Sequence, residues 1–128
     1  MRRSVPTAER ALQIAAGLGA LGIALGAFGA HALQERLAGL GTTAIWEKAV
    51  FYHLLHTVML AVLASREVFR PRAWWAFCLG ILFFSGSLYV LAFTGIRWLG
   101  AITPVGGIAF IAGWLMLLWP APPSGPAK

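Results

Sequence analysis

The sequence predicts an all-α membrane protein whose four transmembrane helices pack as an antiparallel bundle. The first observation is composition: of 128 residues, 59% are hydrophobic and only 11% are charged, and the mean hydropathy is +0.78. A soluble domain of this size cannot bury so much apolar surface. The second is spacing, because four apolar segments each approach the length that crosses about 30 Å of hydrocarbon at about 1.5 Å per residue. Together they predict one four-helix domain.

The first helix is predicted over about residues 11–33. Four of its glycines are three, four and three residues apart, so they share one face of a helix: Gly19, Gly22, Gly26 and Gly29. Helices in lipid associate through small residues that let their backbones approach, so this face predicts close packing. The segment also resembles a cleaved signal peptide with an A-x-A site at residues 30–32. Its apolar run exceeds the roughly 7 to 15 residues of a signal core, so we expect a retained helix.

The second helix is predicted over about residues 44–65, although its purely apolar run is short. Thr43 can serve as its N-cap, which places Trp46, Glu47 and Lys48 in the headgroup layer and restores a full span.

The third and fourth helices are predicted over about residues 72–94 and 97–119. Ser85 and Ser87 supply small, hydroxyl-bearing contacts in the third, and Pro104 invites a kink in the fourth. The fourth also carries a second set of glycines expected to pack against a neighbour: Gly106, Gly107 and Gly113. A disordered tail is predicted over residues 120–128.

The basic residues indicate topology rather than a nucleic-acid partner, because they are spread over the loops and form no stripe. Seven of the ten fall on one side of the predicted bundle: Arg2, Arg3, Arg10, Arg66, Arg70, Arg72 and Lys128. The other side has Arg36, Lys48 and Arg97. The positive-inside rule therefore predicts that both the N and C termini are cytoplasmic.

All three histidines are expected at one level, near the outer ends of the helices. His31 comes about 19 residues after the first helix enters the membrane, and His53 and His56 lie within about three turns of the start of the second. Ionisable side chains inside a membrane are costly and are often functional. Other polar side chains at a similar level complete a candidate outer ligand pocket: Glu47, Tyr52, Ser85, Ser87, Tyr89 and Thr103.

Several interpretations of this polar group stay open. Its members can hydrogen-bond neighbouring helices or water, bind a quinone or lipid headgroup, or hold a metal or haem through His31, His53 and His56. No cofactor follows from the sequence, which lacks HxxxH and CxxC spacings. The sequence lacks the residue sets that would indicate catalysis: a Ser/His/Asp set, a phosphate loop or a close carboxylate pair. It also lacks an acidic or basic residue at the predicted midplane, which would indicate transport.

Four motifs carry a resemblance to a known family. In order, GAFGAHAL, WEKAVFYHLLH, FSGSLY and ITPVGGIAFIAGW resemble the small bacterial inner-membrane proteins of domain-of-unknown-function family 423, whose eukaryotic relative is transmembrane protein 256. The likeness extends from about Leu12 to Trp119. It implies a four-helix integral membrane protein of the inner membrane with no assigned activity.

The sequence leaves three hypotheses for function. The leading one is a non-enzymatic inner-membrane protein whose outer pocket binds a quinone, a lipid headgroup or another small ligand. The second is an accessory subunit that packs through its glycine faces against a larger membrane complex, or against another copy of itself. The third is a metal- or haem-binding membrane protein. In each of them the lipid bilayer is a partner.

Overall fold

A computed structural model of the chain describes residues 7–123. Arg2, Arg3 and Lys128, which contribute to the predicted topology, lie outside the described residues, as does the predicted tail from residue 124 onward. Every regular element in the described part is helical. In chain order these are α1 (Ala8–Ala30), α2 (Gln34–Leu40), α3 (Thr43–Ala64), α4 (Pro71–Gly80), a π-helical segment (Ile81–Ser85), α5 (Gly86–Thr94), a 3₁₀ turn (Arg97–Ala101) and α6 (Thr103–Met116).

Four stretches of helix are long and apolar enough to cross a membrane, which confirms the predicted four transmembrane helices. They are Ala8–Ala30, Thr43–Ala64, Pro71–Thr94 and Arg97–Met116. The third span is continuous because the π-helical segment joins α4 directly to α5. The first helix ends at Ala30 rather than near residue 33, because His31 leaves helical geometry with φ −125° and ψ −83°. The short helix α2, which the sequence does not predict, follows that break.

The spans pack in chain order as an antiparallel bundle. Helix α1 packs on α3, α3 packs on the third span, and the third span packs on α6. The direction of α1 against α3 follows from its glycines, because Gly29 faces Trp46 near the start of α3 whereas Gly19 faces Thr57 further along. The two inner spans are also the more buried. In the 18-residue apolar stretch of each span, 39% and 44% of the residues of the inner spans are buried, against 17% for each outer span.

Glycines allow the helices to approach closely at two of these interfaces. A Cβ added to Gly22 of α1 would lie 2.6 Å from Leu54 Cδ2, and one added to Gly29 would overlap the Trp46 indole. On α6, a Cβ at Gly106 would overlap the Phe84 backbone, and one at Gly113 would lie 2.7 Å from the Phe77 ring. These helix faces are therefore occupied by neighbouring spans of the same chain.

Two arginines bind carbonyl groups at opposite ends of the bundle. Arg36 on α2 donates from Nε to the Phe93 carbonyl at 2.7 Å, and its guanidinium lies 4.5 Å from the Phe93 ring centroid. Arg70 donates from its two terminal nitrogens to the carbonyls of Met116 and Trp119. The last carbonyls of a helix lack intrahelical partners and carry partial negative charge. A guanidinium there donates the missing hydrogen bonds and brings a compensating positive charge.

We refer to these two ends as the α2 end, which contains Arg36, and the arginine end, which contains Arg66, Arg70 and Arg72. The positive-inside rule predicts that the arginine end faces the cytoplasm.

The substitution Gly106→Ala should destabilise the bundle, because its Cβ would overlap the Phe84 backbone nitrogen, which cannot rotate away. We expect the free energy of unfolding, measured by SDS titration in mixed micelles, to fall by about 1–3 kcal/mol. Gly107→Ala is the matched control, since its Cβ would meet Phe84 at an ordinary 3.8 Å. Equal stability of the two variants would contradict the close approach of α6 to the third span.

Candidate functional site

Contacts across the bundle place His53 and His56 at mid-depth. Both lie near the middle of the 22 residues of α3, and a Cβ at Gly22, in the central part of α1, would lie 3.4 Å from the His53 ring. His31 comes nine residues after Gly22, which is about 14 Å further along a helix axis, and it is exposed where α1 ends. The structure therefore corrects the expectation that all three histidines share one outer level.

His53 connects three spans through its two ring nitrogens. Its Nε2 lies 2.9 Å from the Leu18 carbonyl oxygen on α1, and its Nδ1 lies 2.9 Å from the Tyr89 hydroxyl on α5. A carbonyl oxygen only accepts, so Nε2 carries a proton and donates it to Leu18. In the neutral ring Nδ1 then accepts the Tyr89 hydroxyl proton. His53 is 2% exposed, so these groups are its partners in place of water.

His56 makes the complementary set of contacts. Its Nδ1 lies 2.8 Å from the Tyr52 carbonyl and therefore donates, which leaves Nε2 to accept from the Trp114 indole N–H at 3.1 Å. The imidazole stacks on Phe110 with ring centroids 3.6 Å apart and planes 11° apart. His56 thus connects α3 to α6, and as a neutral ring it is the opposite tautomer to His53.

These partners give both histidines a structural role. An imidazole binds a metal through a nitrogen lone pair, and here the two lone pairs already accept hydrogen bonds from Tyr89 and Trp114. Across residues 7–123, no group of three or more His, Cys, Asp or Glu side chains is placed to hold a metal ion. The arrangement joins helices, and no ring nitrogen of His53 or His56 is left for a ligand.

The hydroxyl groups among the candidate residues also join spans. Ser85 is fully buried and donates to the Ala49 carbonyl of α3 at 2.8 Å. The Ser87 and Thr103 oxygens are 2.7 Å apart and connect the third span to α6. Because the Ser87 proton is directed to the Phe84 carbonyl at 3.0 Å, Thr103 is the donor in that pair. These side chains satisfy one another within the bundle.

The side chains of three candidate residues lie apart from these hydrogen bonds. His31 and Glu47 are exposed, and Tyr52 is partly buried with its ring 4.5 Å from the ring of Phe84, centroid to centroid. The candidates named from the sequence therefore do not line a single outer pocket. Most of them hold helices together, and Glu47 alone borders a cavity described below.

The sequence does not indicate the partners that other helices supply. Trp46, expected in the headgroup layer, is 5% exposed and donates from Nε1 to the Leu25 carbonyl of α1 at 2.9 Å. Phe110 and Trp114, which contact His56, are four residues apart on α6. That spacing puts two aromatic rings on one helix face, and it was available as a signal in the sequence.

A groove opens at the α2 end, between α1, α2 and α3, with a volume of about 580 Å³. We call it the α1–α3 groove. Its polar lining residues are Gln34, Thr43 and Glu47, and we call this part of the groove, toward the α2 end, its mouth. Its further lining residues are small or apolar: Gly26, Gly29, Ala30, Leu37, Trp46, Val50, Phe51 and Leu54. Leu54 follows Glu47 by seven residues, or about 10 Å along α3, so the lining changes from polar to apolar with depth.

The region of the chain that matches a known family contains most of the residues that form these contacts. The model of a family described as a protein of unknown function, DUF423, matches residues 25–107. The matched region includes His53, His56, Tyr89 and Glu47. No solved structure matches the chain.

Three similar curated proteins are each named as a membrane protein. The UPF0382 membrane protein SH2409 of Staphylococcus haemolyticus is 48% identical over 102 residues, covering 77% of this chain and 83% of that protein. YwdK of Bacillus subtilis is 42% identical over 104 residues, covering 77% and 84%. The UPF0382 inner membrane protein YgdD of Escherichia coli K12 is 38% identical over 117 residues, covering 88% of both. The predicted multi-pass inner-membrane localisation is confirmed.

The substitution Tyr89→Phe should weaken the bundle, because buried His53 Nδ1 would lose its hydrogen-bond donor. We expect a loss of about 0.6–2 kcal/mol in the free energy of unfolding, the range for hydrogen bonds between membrane helices. Tyr52→Phe is the control, since within residues 7–123 the Tyr52 side chain contributes ring packing on Phe84 and no hydroxyl bond. A Tyr89→Phe variant as stable as the wild type in SDS titration would contradict the role of this contact.

Proposed function

The chain belongs to the DUF423 family and is a multi-pass protein of the bacterial inner membrane, and on this premise we propose that it is a non-enzymatic, lipid-binding membrane protein. The proposed site is the α1–α3 groove. The proposed ligand is a phospholipid whose headgroup carries an ammonium group. The observation that carries this proposal is the change of the groove lining from polar at the mouth to apolar at depth.

The shape of the groove supports an amphiphilic ligand. Its volume of about 580 Å³ falls in the range of roughly 300–1,000 Å³ typical of small-molecule sites. Gly26, Gly29 and Ala30 form the α1 side of the lining and present nothing larger than a methyl group. Val50 and Leu54 supply the apolar wall on the α3 side. An acyl chain can therefore follow the groove toward mid-depth.

The mouth of the groove supports a headgroup with a positive charge. Glu47 is exposed there, beside the polar side chains of Gln34 and Thr43. An ammonium paired with an exposed carboxylate gains about 0.2–1 kcal/mol after solvent screening, which is enough to favour a cationic over a neutral headgroup. The Gln34 amide and the Thr43 hydroxyl offer hydrogen bonds to the phosphate and ester oxygens of the same headgroup.

The proposed ligand is a lipid, one of the ligands expected from the sequence, but its proposed site is the α1–α3 groove rather than the histidines. His53 and His56 have both ring nitrogens engaged inside the chain, whereas Glu47 lies at a cavity mouth. A quinone presents carbonyl oxygens, which accept hydrogen bonds and gain nothing from a carboxylate. The groove therefore favours an ammonium-bearing lipid over a quinone.

The accessory-subunit alternative needs glycine faces that are open to a partner. Gly22, Gly26 and Gly29 instead face α3, and Gly106 and Gly113 face the third span. A partner docked through these faces would have to displace helices of the chain itself. Because helices of the same chain already cover the glycine faces, we favour the lipid-binding proposal.

Filling the groove should remove the lipid. Ala30→Phe places a ring in the groove from an exposed position, so the bundle is expected to fold while retention of phosphatidylethanolamine falls several-fold. The readout is native mass spectrometry of protein extracted gently from its own membrane. Ala27→Phe is the matched control, because Ala27 is exposed on the same helix and lies outside the groove lining.

A charge test addresses the headgroup. Glu47→Gln should also lower phosphatidylethanolamine retention, whereas Lys48→Gln, at the adjacent exposed position outside the lining, should not. Unchanged retention in both Ala30→Phe and Glu47→Gln, or a quinone as the retained molecule, would overturn the proposed ligand.

A further inference from the structure

A separate cavity of about 610 Å³ lies at the arginine end, between the C-terminal part of α3, the loop that leads to α4 and the residues that follow α6. Ser65, Arg66, Glu67 and Arg70 contribute its polar lining. Its apolar lining includes Met59, Val62, Leu63 and Leu117. This cavity is at the opposite end of the bundle from the α1–α3 groove and shares no lining residue with it.

We propose that this cavity binds the phosphodiester group of an anionic phospholipid from the leaflet at the arginine end. Arg66 and Arg70 contact the phosphate, and an acyl chain of the same lipid lies along Met59 and Val62. This inference goes beyond the proposed function, since it concerns a different site, leaflet and headgroup charge.

The net positive charge of the cavity lining favours an anionic lipid. Arg66 and Arg70 line the cavity, and Arg72 lines an adjoining cavity of about 570 Å³ that shares Arg70 and Trp119 with the first. Glu67 is the one acidic residue in the lining of the two cavities. The lining is therefore net positive, and basic clusters at a membrane surface attract anionic lipids.

Arg70 is fixed in a position suited to phosphate binding. Its terminal nitrogens donate to the carbonyls of Met116 and Trp119, so the guanidinium is held between the start of α4 and the end of α6. These two bonds use two of the five N–H groups of a guanidinium. A side chain already ordered by the fold loses less conformational entropy when it binds a phosphate than a free surface arginine does.

The depth of the lining residues matches a lipid rather than a free anion. Met59 precedes Ala64, the last residue of α3, by five residues, or about 7 Å along the helix axis, and Arg66 follows in the loop. Since α3 runs toward the arginine end, its apolar side chains lie deeper than the arginines. Trp119, at the rim of both cavities, is of the residue type enriched at membrane interfaces. A phosphate at the arginines therefore has an apolar path beneath it.

The test is native mass spectrometry after exchange into micelles containing equal amounts of phosphatidylglycerol and of diacylglycerol with identical acyl chains, since diacylglycerol lacks both the phosphate and the ammonium group that the α1–α3 groove would bind. We expect the wild-type protein to retain phosphatidylglycerol several-fold over diacylglycerol. The double substitution Arg66→Gln and Arg72→Gln should reduce phosphatidylglycerol retention several-fold, toward the diacylglycerol level. Arg70 is left unchanged because it also holds the end of α6.

Two single variants serve as controls of opposite kinds. Arg97→Gln removes an exposed positive charge at the α2 end and should leave phosphatidylglycerol retention unchanged. Glu67→Gln removes the negative charge from the cavity lining and should raise it. Equal retention of the two lipids by the wild type, a loss in Arg97→Gln as large as in the double variant, or a fall in Glu67→Gln would overturn the proposal.

Two further arms distinguish this lipid site from a free-anion site and from the α1–α3 groove. Excess inorganic phosphate should not displace the lipid, because it cannot make the apolar contacts, and displacement would indicate a free-anion site and overturn the lipid assignment. Glu47→Gln, which tests the α1–α3 groove, should leave phosphatidylglycerol retention unchanged. Failure of either site is therefore distinguishable from failure of the other.

Discussion

The fold depends on satisfying two imidazoles at mid-depth in a medium that offers no hydrogen bonds. A polar group buried in hydrocarbon must find its partners inside the protein. His53 and His56 do so as neutral rings of opposite tautomer, through Leu18, Tyr89, Tyr52 and Trp114. Since both histidines belong to α3, these contacts connect α3 to α1, to α5 and to α6. One helix therefore fixes the positions of the other three spans.

This constraint determines where the chain can bind anything else. Hydrogen bonds between helices use Ser85, Ser87 and Thr103 as well as the histidines, and in the described part of the chain the Thr57 hydroxyl and the Trp74 indole N–H are the buried side-chain groups without a partner. Glycines bring the backbones close enough for these short contacts. In the three cavities described above, charged side chains lie toward the two ends of the bundle: Glu47 at the α2 end, and Arg66, Glu67, Arg70 and Arg72 at the arginine end. Both proposed lipid sites lie there, where headgroups meet the protein.

The sequence was sufficient for the four spans, because crossing hydrocarbon requires only length and apolar composition. The start of the second helix was also predicted to within one residue, at residue 44 against the observed Thr43. The end of α1 at Ala30 was missed because Gly29 belongs to the row of glycines that predicts packing rather than a helix end. The sequence could not give the register of α1 against α3, which places His53 beside Gly22 rather than level with His31. Nor could it give the tautomers, because the Leu18 carbonyl and the Trp114 indole come from helices 35 and 58 residues away from their partners. Local spacing carries no information about such contacts.

The most direct test of this account is ¹⁵N NMR of the histidine side chains in lipid bilayers, with His53→Gln and His56→Gln variants used for assignment. The account predicts two neutral rings of opposite tautomer, with the proton on Nε2 of His53 and on Nδ1 of His56. A shared tautomer, or a ring protonated on both nitrogens at neutral pH, would contradict the hydrogen bonds on which the arrangement of the four spans depends.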